Sequence, residues 1–353
     1  MTRNDTSFDQ MSRTLRRDIK ELYNFYLDEE RRRKLDSMKR MRRWFYIIWW
    51  TIKSLIQKLS PARRIVLVIS LICFILGNTR LHYGNTVFAL DLQPLAFMLV
   101  FLVLMLELKD KLLFREELEA GRAVQLSLMP KQGPSIPGWE IWLFTRPAND
   151  VGGDLVDYLK IIENQWAIIL GDVSGKGLAA ALLMAKLQAT VRALASDKKS
   201  LIELGRQLNH ILCRDGITAR FATMLYMEVN ARSGKVRILN AGHIPPVIID
   251  QKQVTYLTPV AMPLGAFPDA KFKEQILELP PDALLVCWSD GLTDACNTAG
   301  EFFGEERLKA LFSKLQGLTA EQVGMLLRKE VEQFVGEARA HDDFSIVILK
   351  RNY

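Results

Sequence analysis

Trp166-Ala167-Ile168-Ile169-Leu170-Gly171-Asp172-Val173-Ser174-Gly175-Lys176-Gly177 is the stretch that decides the fold. The apolar run 166–170 reads as a buried strand, Gly171-Asp172 ends it, and Gly175 and Gly177 open a long Ala-rich helix. An acid at such a break projects into a shared cleft, and the next carbonyl, that of Val173, is a further hard ligand. Three more aspartates stand in comparable settings: Val151-Gly152-Gly153-Asp154, Ser289-Asp290-Gly291 and His341-Asp342-Asp343-Phe344-Ser345. Carboxylates gathered at strand ends without matching bases repel one another unless a hard cation neutralises them, and oxygen-only ligation suits Mg²⁺ or Mn²⁺. The pattern points to metal-assisted hydrolysis.

Outward from this stretch, residues 139–146, 155–162, 166–172, 221–229, 235–240, 246–250, 274–279, 283–288 and 343–349 read as strands. Helices are expected over 178–196, 199–213, 305–315 and 319–335. Strands outnumber helices and the helices come in pairs, so an α+β arrangement of stacked antiparallel sheets flanked by helices is favoured over a doubly wound parallel sheet. Gly175-Lys176 is not a nucleotide-binding loop, because that motif needs Gly at 170 and Ser or Thr at 177, where Leu170 and Gly177 stand.

The chain has 353 residues and a net charge of +7, but the charge is local: residues 1–64 hold 17 Lys and Arg against 8 Asp and Glu, and the rest 30 against 32. Signs alternate over 14–36, as on a solvated helix face, whereas Lys39-Arg40-Met41-Arg42-Arg43-Trp44 is a basic block just ahead of apolar sequence. That placement suits the anionic cytoplasmic face of a membrane, and no nucleic-acid partner is expected. Trp44-Phe45-Tyr46-Ile47-Ile48-Trp49-Trp50 has the composition of a segment lying in the headgroup zone. The apolar runs 65–76 and 95–106 carry no charge and lead to two expected membrane spans, 65–83 and 87–106, with both termini cytoplasmic because positive charge outweighs the intervening turn on both flanks. A linker helix over 107–130, stopped by Pro130, precedes a domain over 131–353. Its apolar stripe fits either a coiled coil joining two protomers or packing on the adjoining domain. The four cysteines show no metal or disulfide spacing.

From about residue 122 the chain resembles the SpoIIE/RsbU branch of the PPM metal-dependent serine/threonine phosphatases. The resemblance rests on Arg122-Ala123-Val124-Gln125 to Met129-Pro130, the four aspartate motifs, Arg220-Phe221-Ala222-Thr223 and Asn240-Ala241-Gly242-His243, in family order. It implies an α-β-β-α sandwich with two divalent cations, Mn²⁺ or Mg²⁺, and removal of phosphate from phosphoserine or phosphothreonine of a regulatory partner, such as an anti-anti-sigma-like protein. Carried over residue by residue, Asp172 bridges both metals, Asp154 and the Val173 carbonyl complete one, and Asp290 with Asp342 hold the other. Asp343 is ambiguous, since adjacent strand residues face opposite ways; the family pattern favours Asp342. Lys176 is a candidate for contact with phosphate, and Asp157, Asp294, His243 and His341 are expected outside the ligand set. The alternative reading is a catalytically inactive phosphatase fold serving as a membrane-bound scaffold; four unneutralised acids argue against it.

Overall fold

The computed structural model describes residues 34–35, 38–77, 79–83, 86–197, 200–215, 220–250, 253–258 and 261–352. The charged face expected over 14–36 lies almost wholly outside the described residues. The chain divides into two compact units, Met1–Phe114 and Arg115–Tyr353.

In the first unit, α1 (Arg40–Lys58) and α2 (Pro61–Leu76) precede a two-stranded antiparallel hairpin, β1 (Thr79–Tyr83) and β2 (Thr86–Leu90); α3 (Gln93–Leu128) follows and carries the chain into the second unit. α2 packs antiparallel to α3: Arg63 donates to Glu107 at 2.6 Å and to Asp110 at 2.5 Å, and at the crossing Ser70 Oγ donates to the Ala96 carbonyl at 2.9 Å. These bounds correct the expected spans. The first run stops being helical at Leu76, not at 83, and the second begins at Gln93, not at 87; between them β1 and β2 take up residues that the expected spans included. At 1.5 Å per residue the 16-residue α2 covers about 24 Å, short of the roughly 30 Å hydrocarbon core. Among the described residues only Leu178–Ala195 is long and apolar enough throughout to cross a bilayer, and its apolar face is spent on the core of the second unit. The linker helix is not a separate element: charged Glu, Lys and Arg are good helix formers, so the change in composition at 107 alters the surroundings and not the backbone.

The second unit is built on two five-stranded antiparallel sheets. With β3 (Trp139–Arg146), β4 (Leu155–Ile162), β5 (Gln165–Val173), β6 (Ala222–Asn230), β7 (Lys235–Ala241), β8 (Val247–Ile249), β9 (Val254–Tyr256), β10 (Glu274–Glu278), β11 (Leu284–Trp288) and β12 (Phe344–Arg351), their orders are β10-β7-β6-β5-β4 and β3-β12-β11-β8-β9. The alternation of strand side chains sorts the apolar residues into three cores. Ile168 and Leu170 of β5 meet Leu285, Cys287 and Val347 between the sheets. Ala167, Ile169 and Val173 face outward onto α4 (Leu178–Ala195) and α5 (Leu201–Asp215). On the other sheet Val286, Ile346 and Ile348 face α7 (Gly304–Phe312) and α8 (Ala320–Val335). The result is the expected α-β-β-α sandwich. Among the described strands of this unit, only the three-residue edge strand β9 escaped the sequence pattern. A four-residue turn of helix, α6 (Asp290–Thr293), follows β11.

Candidate active site

Strand register brings the aspartate motifs to one end of the sandwich. In the first sheet Leu155 lies opposite Gly171, so Asp154 and Asp172 flank the same strand end; Asp172 in turn lies opposite Thr223. In the second sheet Trp288 lies opposite Ile346 and the Ser289 amide donates to the Ser345 carbonyl at 3.0 Å, which sets Asp290 level with the start of β12 and with Asp342 and Asp343.

The two sheets are tied at this end by side chains. Ser345 Oγ on β12 donates to Asp154 Oδ2 at 2.5 Å and lies 2.8 Å from Thr145 Oγ1. Asp343 accepts the Ala148 amide at 2.7 Å on one oxygen and the Gly153 amide at 2.5 Å on the other, so it pins the loop that presents Asp154. A Cβ on Gly152 would fall 2.6 Å from that same Asp343 oxygen, which explains a glycine there. Asp342 points elsewhere: its Oδ2 is 2.9 Å from Lys176 Nζ, which also donates to the His341 carbonyl at 2.6 Å. Of the adjacent pair, Asp343 is thus committed to amides of the Asp154 loop, whereas Asp342 is partly exposed, its Oδ1 taking the Asp343 amide at 3.0 Å and its Oδ2 facing the displaceable Lys176 cation.

Burial and mutual repulsion act together on the other acids. Asp154 is buried, and burial first, then the Asp172 charge, raise its pKa well above the ordinary carboxylate value against the Ser345 hydrogen bond. Asp172 is pushed up to about 7, by burial and then by Asp290, Asp342 and Asp343. Asp290 is raised by burial and then by Asp342, with Lys176 opposing. Such a set of buried, mutually repelling oxygen donors fits hard divalent cations. The Val173 carbonyl joins it at Gly153, where an added Cβ would come within 3.0 Å of that oxygen. Among the described residues no three Asp, Glu, His or Cys side chains are drawn close enough to cage a metal as they stand. Lys176 and Ser345 occupy two of the carboxylates.

Three supporting contacts were not foreseen. Gln125, buried on α3, closes a two-way amide pair with Gly152: Nε2 donates to the Gly152 carbonyl at 2.6 Å and Oε1 accepts its amide at 3.1 Å. Arg220 Nη1 donates to the Ser174 carbonyl at 2.9 Å, beside Gly175 at φ +95°, while Ser174 and Phe221 exchange two further bonds at 2.9 Å. Third, His243 Nε2 lies 3.2 Å from the Trp288 carbonyl and Nδ1 lies 2.9 Å from Thr223 Oγ1. A carbonyl only accepts, so Nε2 carries the proton and Nδ1 accepts from Thr223. Burial lowers the His243 pKa to about 4, and the neutral ring bridges the sheets beneath the acids. Asp157 is fully buried away from the cluster and takes a bidentate Arg192 at 2.7 and 2.6 Å; Asp294 is exposed.

Gln125→Ala is expected to leave both Gly152 backbone groups without their partner and to cost about 1–3 kcal/mol. Thermal unfolding of residues 115–353 checks this; an unchanged midpoint would show that the amide pair contributes nothing.

Comparison with known proteins agrees with this geometry. The family model for stage II sporulation protein E, SpoIIE, matches residues 162–352. Protein IcfG of Synechocystis is 25% identical over 307 residues, covering 79% of this chain and 46% of IcfG. Phosphoserine phosphatase RsbU of Bacillus subtilis is 26% identical over 239 residues, covering 67% of this chain and 70% of RsbU. The chain therefore spans less than half of the first relative's length. Among solved structures, the SiaA-PP2C domain of Pseudomonas aeruginosa superposes with a TM-score of 0.59 at 17% identity, over 69% of this chain and 99% of that domain, which speaks for the fold alone. With its sandwich, its motif order and a match over more than half its residues, the chain belongs to the SpoIIE family, the SpoIIE/RsbU-like branch of the PPM phosphatases.

Proposed function

We propose that the chain is a membrane-anchored, metal-dependent phosphatase that removes phosphate from phosphoserine or phosphothreonine of a regulatory protein, an anti-anti-sigma-like domain being the substrate class that the family resemblance implies. The observation that carries this reading is the convergence of Asp154, Asp172 and Asp290 with Asp342 at one end of the sandwich, with Asp172 raised to about 7 by burial and then by its acidic neighbours. Asp154, Asp172 and the Val173 carbonyl would hold one Mn²⁺ or Mg²⁺, and Asp172, Asp290 and Asp342 the other. Bound there, the cations supply an activated water and neutralise charge on the transferring phosphoryl group. The chain's own residues do the rest. Asp343 and Gln125 fix the Asp154 loop from two sides, Ser345 orients the Asp154 carboxylate, and the Arg220 latch holds the loop bearing Lys176. Lys176, once free of Asp342, is a cation beside the incoming phosphate.

Synthetic phosphopeptides test the specificity. Phosphate release from phosphoserine and phosphothreonine peptides is expected to exceed release from phosphotyrosine peptides by at least about tenfold, a preference worth roughly 1.4 kcal/mol at the transition state. Equal rates on all three would reject it.

Membrane anchoring is supported by the surface of the first unit. Trp44, Phe45, Ile48, Trp49 and Ile52 of α1 are exposed, as are Ile65, Leu71 and Phe74 of α2 and Phe97, Met98 and Phe101 of α3. So much exposed apolar surface needs a lipid or protein cover. The Ser70–Ala96 contact is of the small-residue kind that membrane helices use. The topology we infer is two short spans, with the N-terminus and phosphatase domain on the cytoplasmic side. The exposed Leu108, Leu112 and Leu113 of α3 suit a homodimer contact. Residues 1–115 should float with liposomes containing anionic lipid, unaffected by nuclease; a fragment left in the soluble fraction would oppose anchoring.

A further inference from the structure

Lys176 stands between two glycines of positive φ, Gly175 at +95° and Gly177 at +77°, on the loop that leaves β5 for α4. The Arg220 latch fixes the backbone of this loop at Ser174. From there the lysine reaches across to the other sheet, where its Nζ lies 2.9 Å from Asp342 Oδ2 and donates to the His341 carbonyl at 2.6 Å. Asp342 Oδ1 already accepts the Asp343 amide at 3.0 Å, so Oδ2 is the freer oxygen, and it is the one Lys176 holds. The lysine charge is felt at Asp290 as well, where it opposes the upward shift that burial and Asp342 impose. One ammonium thus faces both acids that, with Asp172, were assigned to a single cation. Asp154, on the other side of the cluster, is held instead by the neutral Ser345 hydroxyl. A divalent cation and an ammonium repel each other too strongly to share one carboxylate oxygen. Both Lys176 and Asp342 reach solvent, so their pair is screened and weak enough to break.

We propose that Lys176 is an internal competitor for the cation of Asp172, Asp290 and Asp342: it holds Asp342 Oδ2 against that cation and, on giving the oxygen up, takes the phosphate of the substrate. The proposal rests on the phosphatase reading above. It makes Lys176 a positioning residue whose removal acts in opposite directions on the two ligands. Metal binds more tightly, because nothing contests Asp342, and phosphate binds more weakly, because a charge-assisted donor is gone. A lysine that merely supported the loop would, on removal, weaken both.

The test uses residues 115–353, which contain all three cores of the sandwich. Mn²⁺ binding is measured by calorimetry, and inorganic phosphate is titrated into the Mg²⁺-loaded domain and followed by phosphorus NMR. In Lys176→Met one Mn²⁺ site should tighten by at least about threefold, the scale of an exposed ion pair, while the other changes by less than about twofold. Phosphate should bind that variant at least about fivefold more weakly. Lys186→Met removes the same charge from a lysine that pairs with Asp215, and should alter neither affinity. In an Asp342→Asn background, Lys176→Met should no longer tighten Mn²⁺, because the contested oxygen has lost its charge. Lys176→Gln replaces the methionine variant if that one does not fold. Mn²⁺ affinity unchanged or weakened in Lys176→Met, equal tightening in Lys186→Met, tightening that persists with Asp342→Asn, or phosphate binding indifferent to residue 176 would each overturn the proposal. A wild-type domain that binds no Mn²⁺ would instead overturn the phosphatase reading and the proposal together, an outcome that none of the other results can imitate.

Discussion

Asp172→Asn lowers turnover by about a thousandfold or more and, in the metal-free protein, raises stability. The two effects have one cause. Asp172 is the carboxylate on which the others converge, raised to about 7 by burial and then by the charges of Asp290, Asp342 and Asp343. A carboxyl whose folded pKa lies above its unfolded value of about 3.9 holds its proton more tightly when folded, so stability is lost as pH climbs from about 4 to about 7. Without metal the wild-type domain should therefore be more stable at pH 5 than at pH 8. Asparagine carries no charge to repel, and should remove part of that slope and add on the order of 2 kcal/mol at pH 8. Denaturant unfolding at both pH values, with chelator present, measures it. A variant that is inactive yet no more stable would remove the repulsion argument. One that keeps full turnover would show that Asp172 does not hold the metals the reaction needs.

Gly291→Ala is expected to be the most damaging single methyl in the second unit. A Cβ at 291 would lie 1.9 Å from the Asp343 carbonyl oxygen and 2.7 Å from its carbon, both backbone, so no side chain can step aside. Either α6 or the start of β12 must move, and Asp290 sits on the first with Asp342 beside the second. We expect a loss of about 3 kcal/mol or more, a fall of roughly 10 °C in Tm for a domain of this size, and activity lost beyond what instability explains. Gly121→Ala is the matched control. Gly121 lies inside α3 with nothing within 4 Å of the added carbon, so the same methyl there should be neutral or stabilise by up to about 1 kcal/mol. Similar behaviour of the two variants would show that the close approach at 291 does not hold in solution.

These cases show what the sequence makes legible. Apolar runs that end in Gly-Asp or Ser-Asp, at Asp172 and Asp290, or that open just after an acid, at Asp154 and Asp342, signal strands with a carboxylate at one tip, so the stacked sheets and the four aspartates could be read directly. The division of labour between Asp342 and Asp343 could not, because alternation says only that neighbours face opposite ways, and the choice depends on amides at 148 and 153 that arrive from distant sequence. Gln125 and Ser345 were invisible for the same reason. Each is an ordinary polar residue until the fold sets Gly152 or Asp154 against it. In the first unit the expected spans overran their helices: 79–83 and 87–90 were counted into the spans but pair as a hairpin, and α3 runs through the charge boundary at 107.

The measurement that bears most directly on the central claim is p-nitrophenyl phosphate hydrolysis by residues 115–353 during a Mn²⁺ titration, followed by chelation and re-addition of metal. The account predicts turnover that rises with Mn²⁺, vanishes with chelator and returns with metal. Turnover indifferent to chelator, or none with Mn²⁺ or Mg²⁺ in a domain shown to be folded, would contradict it.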